Sequence, residues 1–377
     1  MSNRSDYTTR AQRYTARYPV LTYTGTQVNF WIISNALLAI VSWLVLRIAE
    51  QLFAADLPVR LGPMLIVSVT TGILYGMALG IAGYHLEQSF FKKLPLGKVI
   101  VLKSLASLGM IVLILLLTRW VMTNTSILPP LSGMKWNESV WDNLFVLLLV
   151  YYTCMTLVIN FVNQVNRKYG PGVLIPLLLG RYRNPKETER IFMFMDLKSS
   201  TAIAEQLGHL RYSSFIRDCF ADINAVLFKY HAQVYQYVGD EIVLMWPVEE
   251  GLQNHSCIRF YSACREQFRQ RADHYHTLYG LLPHFKAGVH MGTVTAVEIG
   301  DVKRDIAYHG DTLNTAARIQ SVCNVYGKDL LASESLVDKI GPHPQLKTES
   351  LGKILLRGKS TEMGIVNVIW NGPSDLN

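Results

Sequence analysis

Two aspartates stand where apolar runs end. Asp196 follows Ile191-Phe-Met-Phe-Met195, and Asp240 lies in Val238-Gly-Asp-Glu241 between the β-rich stretches 235–238 and 241–246. Five apolar residues ahead of Asp196 predict a buried strand, and helical spacing over 199–207 then places Asp196 at that strand's carboxyl end. Gly239-Asp240 between its flanks predicts a tight hairpin turn. If the strands are neighbours, both carboxylates converge on one sheet edge, and hard oxygen donors of that kind suit Mg²⁺ or Mn²⁺ completed by water and substrate phosphate. The alternative is a helix cap at Asp196 and an ordinary turn residue at Asp240. A second cluster is Tyr308-His-Gly-Asp-Thr-Leu-Asn-Thr-Ala-Ala-Arg-Ile319, in which Asn314 and Arg318 are four apart and project from one helix face. An amide beside a guanidinium can hold a sugar oxygen and a phosphate. Taken separately, Asn314 reads as a helix-start residue and Arg318 as a solvated charge.

The elements that must position these groups follow an α+β pattern. A helix over 209–230 buries Ile216, Phe220, Ile223 and Leu227. Strands are predicted at 233–238 and 241–246, a long helix at 254–279, and two strand runs, 285–290 and 293–299, hinged at Met291-Gly292 as a hairpin. A helix over 311–326, a strand at 329–332, a helix at 334–340 and closing strands at 346–356 and 363–370 complete the pattern. Without regular alternation, this favours an α+β sheet with helices on one face over a doubly wound fold.

Ahead of it the composition changes. The 377-residue chain is 50% hydrophobic with only 17% charged residues, which is high for a wholly soluble protein. Residues 1–190 carry net charge +10 and 191–377 carry −2, so the overall +8 belongs to the N-terminal half. That distribution argues for membrane orientation and against nucleic-acid binding. Four apolar segments, 29–46, 61–84, 99–117 and 144–162, approach the ~20 residues that cross a ~30 Å hydrocarbon layer as a helix. Lys and Arg gather in the N-terminal stretch (Arg4, Arg10, Arg13, Arg17), the second loop (Lys92, Lys93, Lys98) and the exit of the fourth segment (Arg167, Lys168, Arg181, Arg183, Lys186, Arg190). The positive-inside rule therefore puts both ends of this domain in the cytoplasm. Trp31, Trp43, Trp120, Trp136 and Trp141 fall near predicted helix ends, as an aromatic belt requires. Lys103 is expected to snorkel outwards. The five cysteines show no metal-ligand spacing and fit reduced, buried thiols. The domains are expected at 1–28 (cytoplasmic segment), 29–165 (four transmembrane helices), 166–189 (linker rich in Gly and Pro) and 190–372.

Residues 191–370 resemble the catalytic domain of class III nucleotidyl cyclases. The matching stretches are Phe194-Met-Asp-Leu-Lys-Ser-Ser-Thr201, Val238-Gly-Asp-Glu241, Phe285-Lys-Ala-Gly-Val-His-Met-Gly292 and Gly310-Asp-Thr-Leu-Asn-Thr-Ala-Ala-Arg318. The resemblance implies an α+β domain with a ferredoxin-like core, and a homodimer with two composite sites. It implies that Asp196, Leu197 and Asp240 of one subunit hold two Mg²⁺ or Mn²⁺ ions per site. Asn314 and Arg318 of the other would meet the ribose and the α-phosphate, and Lys359 the terminal phosphates. The family's base-reading positions hold Gln236 and Ala307, which depart from both the adenylate and the guanylate pattern. The expected function is a multi-pass enzyme of the cell (inner) membrane converting ATP to 3′,5′-cyclic AMP and pyrophosphate for intracellular signalling. GTP or a pyrimidine nucleotide as substrate, or a non-enzymatic membrane sensor with a cyclase-like dimerisation domain, are the alternatives.

Overall fold

The computed structural model describes residues 18–53, 60–89, 96–124, 138–169, 180, 183–300 and 305–372. The chain divides into two compact units, Met1–Ile175 and Pro176–Asn377. Arg4, Arg10, Arg13, Arg17, Lys92, Lys93, Trp136, Arg181 and most of the expected linker (170–179 and 181–182) lie outside the described residues, as do the side chains of Trp141, Arg167 and Lys168.

Among the described residues, the first unit holds four helices long and apolar enough to cross a membrane. They are α1 (Pro19–Phe53), α2 (Leu61–Ser89), α3 (Leu96–Asn124) and α4 (Glu138–Tyr169). Apolar side chains such as Ile33, Ile66, Leu113 and Phe161 face outwards, while polar groups turn in. Inside, Tyr151 donates to the Ser34 carbonyl at 2.6 Å, Tyr152 to Asn35 Oδ1 at 2.8 Å, and Asn160 to Ser104 Oγ at 2.9 Å. This is the arrangement expected where lipid offers no partner for a polar group. Gly72, Gly76 and Gly80 let α2 touch the α1 backbone, since a Cβ at Gly76 would stand 2.3 Å from Val28 Cα. Two expectations are corrected here. Trp31 is 1% exposed and packs edge-on against Tyr75 in the bundle centre, because α1 begins well before residue 29 and carries Trp31 inwards. Lys103 does not snorkel: it is 4% exposed, with Nζ 4.9 Å above the Tyr23 ring, where the aromatic face takes the charge.

The second unit is built on one mixed sheet. Its elements are β1 (Lys186–Leu197), α5 (Ser200–Leu227), β2 (Gln233–Val238), β3 (Glu241–Pro247), α6 (Val248–Leu252), α7 (Ser256–Gln270), α8 (Ala272–Tyr279), β4 (Phe285–Ile299) and β5 (Asp305–His309). They continue with α9 (Asp311–Ser321), α10 (Cys323–Tyr326), β6 (Leu330–Ser333), α11 (Glu334–Ile340), β7 (Leu346–Ile354) and β8 (Met363–Trp370). The strands run β2-β3-β1-β4-β6-β8-β7, with β5 on β4. Within this, β1-α5-β2-β3-α7-β4 forms an antiparallel four-strand sheet in the order β4-β1-β3-β2, the ferredoxin-like arrangement. The period-2 alternation of β1 sends Ile191, Met193, Met195 and Leu197 into the core shared with α5 and α7, and Phe192 to the opposite face.

Several predicted elements are cut differently. Residues 285–299 form one unbroken strand, because β1 pairs with it through Met291 and Gly292, so the expected hairpin is absent. Gly292 serves packing instead: a Cβ there would lie 2.6 Å from Thr312 Oγ1. The predicted helix 254–279 breaks at Arg271, and 311–326 breaks at Val322. Helices cover both faces, since α9 packs Ala316 against Phe192 and Val294 on the side away from α5 and α7.

Candidate active site

β1 is central, so its last residues have neighbours on both sides. Asp196 pairs with Glu241 of β3 and with Lys286 of β4. Glu241 directly follows Asp240, and the β2–β3 turn at Gly239, with φ of 61°, carries Asp240 to the end of β1. The two predicted carboxylates are thus brought to one edge.

The Asp196 carboxylate is held on one oxygen. Lys286 Nζ lies 3.1 Å from Oδ2, and the Gln320 amide of α9 donates to the same atom at 3.1 Å. Burial first, then the charges of Asp196 and Asp240, push the Glu241 carboxyl up to about 7, with Lys286 opposing the shift. Burial and then the Asp240 charge likewise raise the Tyr212 hydroxyl. Negative charge is therefore concentrated here beyond what one lysine balances. Asp196 and Asp240 supply two side-chain carboxylates at this edge, whereas Leu197, with an apolar side chain 1% exposed, could offer a cation only its backbone carbonyl. No three His, Cys, Asp or Glu side chains gather as a metal site among the described residues. A two-carboxylate set fits Mg²⁺ or Mn²⁺, which keep waters and lean on phosphate oxygens, and does not fit Zn²⁺.

The second cluster faces elsewhere. On α9 the side chains Thr312, Thr315, Ala316, Ile319 and Gln320 are buried, Asn314 is exposed and Arg318 is half-buried. Arg318 and Gln320 are two residues, about 200°, apart around the helix. The face that carries Asn314 and Arg318 is consequently turned away from the face that meets Asp196. Arg318 Nη1 is buried without a hydrogen-bond partner, an open donor in a fork shaped for a phosphate. Its Nη2 lies against Gly358, where a Cβ would come within 3.2 Å. The next residue, Lys359, forms an ion pair with Asp311 of α9. That contact, ahead of a smaller effect from Arg318, holds the Asp311 carboxyl below its usual value. One chain thus gathers Asp196 and Asp240 in one place and Asn314, Arg318 and Lys359 in another.

The base-reading positions differ in access. Gln236 is exposed on β2, just after a register irregularity, while Ala307 is buried in β5 opposite Val297. Glu241, Lys286 and Asp311 stand in the motifs of the sequence without an assigned role, and Gln320 lies outside them. The strand pairing of β1 with β4 supplies the signal for Lys286; nothing local marks Gln320, which is 124 residues from Asp196.

Residues 184–367 match the family described as adenylate and guanylate cyclase catalytic domain. The C-terminal unit belongs to that class III cyclase family. The chain is 34% identical to adenylate cyclase 2 of Rhizobium meliloti (strain 1021) over 220 residues, 58% of this chain and 61% of that protein. It is 27% identical to adenylate cyclase 1 of the same organism over 187 residues, 47% of this chain and 27% of that one. It thus spans under two thirds of either relative's length. Among solved structures, the cyclase domain is similar to the adenylyl cyclase CyaB from P. aeruginosa, with 16% identity and a TM-score of 0.45 over 52% of this chain and 100% of that one.

Proposed function

We propose that this chain is a membrane-anchored adenylate cyclase that converts ATP to 3′,5′-cyclic AMP and pyrophosphate in a homodimer. The observation that carries the reading is the separation just described: carboxylates suited to a cation at the end of β1, and the Arg318 guanidinium, with Nη1 lacking a hydrogen-bond partner, on the far face of α9. Two copies facing each other would bring one cluster of each together. The names of the two Rhizobium meliloti relatives support ATP as substrate.

In this reading Asp196, Asp240 and the Leu197 carbonyl hold two Mg²⁺ or Mn²⁺ ions. Bound there, they would lower the pKa of the attacking hydroxyl and neutralise triphosphate charge. The ribose 3′-oxygen forms its bond to the α-phosphorus, the bond from that phosphorus to the β-phosphate bridging oxygen breaks, and the hydroxyl proton leaves to water. Asn314 of the other subunit orients the ribose, and Arg318 meets the charge that builds on the α-phosphate; loss of such a group costs about 10³-fold or more in related phosphoryl transfer. Lys359 exchanges Asp311 for the terminal phosphates, and Gln236 contacts the base edge. Ala307 has no hydrogen-bonding side chain, which favours a looser choice of base than a site with two polar readers.

The four apolar helices support anchoring in the cell (inner) membrane, and the basic loops support a cytoplasmic N-terminus and catalytic domain. The proposed division is 1–28, 29–165, a linker at 166–189, and catalysis in 190–372. The test is the purified chain in detergent with Mn²⁺ and, separately, ATP, GTP, CTP and UTP, with products read by mass spectrometry. Cyclic AMP as the main product is expected. Another cyclic nucleotide overturns the substrate, and no product from an intact dimer overturns the enzyme reading in favour of a membrane sensor.

A further inference from the structure

Asp196 is approached from two directions, and only one of them is its own sheet. Lys286 comes from the neighbouring strand, whereas Gln320 reaches across from α9, itself 6% exposed, to donate to Oδ2 at 3.1 Å. The helix that carries Gln320 packs closely on β4. At Gly288 its backbone is pressed onto β4 so closely that a Cβ would stand 2.2 Å from the Gln320 nitrogen. Thr312 fixes the other end through its hydroxyl, which donates to the Thr293 carbonyl at 2.8 Å.

We propose that Gln320 is a positioning residue: its amide fixes the Asp196 carboxylate for a divalent cation and ties it rigidly to the helix that presents Asn314 and Arg318 on its other side. With Oδ2 engaged by Gln320 and Lys286, the carboxylate plane is set by two donors on different elements. Outer-shell donors of this kind orient the ligating oxygen and typically change metal affinity 10–100-fold when removed. Because α9 carries both functions, the cation half of one composite site and the substrate half of the other are parts of one rigid body. The inference rests on the cyclase reading for its second half; the first half concerns the cation alone.

The test is Gln320→Met, which keeps the length and removes the donor, in the whole chain in detergent. Free Mn²⁺ is followed by electron paramagnetic resonance, with Asp196→Asn defining the site. The expected result is Mn²⁺ affinity weakened about 10–100-fold. At saturating Mn²⁺ the nucleotide KM should stay within about twofold of wild type, since Gln320 does not touch substrate in this account. Gln320→Asn, which withdraws the amide by one methylene, gives a second variant with the same direction should the first fail to fold. Affinity within about twofold of wild type in a folded variant overturns the proposal, as does a wild type that binds no more Mn²⁺ than Asp196→Asn. If the wild type forms no cyclic nucleotide but Gln320→Met binds Mn²⁺ more weakly than the wild type, the cyclase reading is refuted and the positioning of Asp196 by Gln320 stands.

Discussion

Gly288→Ala adds one methyl group at a residue that takes no part in substrate contact, and its effect is expected to be severe. The new Cβ would stand 2.2 Å from the Gln320 nitrogen, 2.6 Å from the Ala316 carbonyl oxygen and 2.6 Å from Gln320 Cα. All three are backbone atoms of α9, so no side chain can rotate out of the way. Ordinary contact begins at 3.4 Å, and α9 must therefore retreat from β4 by about 1 Å. Overpacking of that size costs roughly 1–3 kcal/mol. For a unit of this length it lowers the thermal midpoint by roughly 2–4 °C per kcal/mol. The larger effect is on turnover, because Gln320, Asn314 and Arg318 all move with the helix, and a displacement near 1 Å can cost about 10²-fold. Gly292→Ala is the internal control. Its Cβ would meet the Thr312 hydroxyl at 2.6 Å, a side-chain end that can turn aside for about 1 kcal/mol, the worth of its bond to Thr293. The assay is cyclic nucleotide formation at 25 °C beside the thermal midpoint followed by tryptophan fluorescence. Gly288→Ala that keeps more than half of wild-type turnover, with a midpoint no lower than that of Gly292→Ala, would refute the packing argument.

Other consequences follow from buried polar groups. Burial, and then the charge of Lys359, push the His290 imidazole down to about 4, with its Nδ1 2.8 Å from Ser333 Oγ. The folded state therefore keeps His290 neutral while the unfolded chain takes up a proton below about 6.5. Stability is lost as pH falls from about 6.5 towards 4, by about 2 kcal/mol at pH 5, and His290→Asn should lose that much less between pH 7 and 5 in denaturant titrations. Equal slopes for the two proteins would contradict it. Asp222, 3% exposed, accepts from Arg271 at 2.6 Å, Tyr275 at 2.5 Å and Gln267 at 3.3 Å, joining α5 to α7 and α8. Asp222→Ala leaves those donors unmatched and should destabilise the domain by about 3 kcal/mol; a change under about 1 kcal/mol in chemical denaturation would be inconsistent with this role.

Much of the positioning was legible in the sequence, and the reasons are local. The apolar run before Asp196 and the Gly-Asp turn at 239–240 are short-range signals, and both aspartates lie where those signals put them. The separate helical stretches 199–207 and 209–230 match the non-helical backbone at Gly208 inside α5. What was illegible depends on distant partners. Whether 285–299 is a hairpin or one strand is decided by β1 pairing along its whole length, not by Met291-Gly292 itself. The five-residue β5 has too little pattern to stand out beside the motif it precedes. Lys103 near a helix end reads as a snorkelling residue until α1 brings the Tyr23 ring beneath it. Asn314 and Arg318 lie on one helix, as their spacing predicts, and the family resemblance already assigned them to the other half-site from Asp196; the close packing of α9 on Gly288 is what the sequence did not reveal.

That separation is also where the account is most exposed. Asp196→Ala removes a cation ligand from one half-site, and Arg318→Ala removes the phosphate donor from the other, so each variant alone should lose activity by about 10³-fold or more. Co-expressed in equal amounts, the two should assemble at random, so that about half of the dimers are mixed and each mixed dimer keeps one intact composite site. The predicted result is recovery to about a quarter of wild-type cyclic AMP formation. Mixed dimers that are present by affinity capture of two tags yet remain as inactive as either parent would contradict a site shared between two copies.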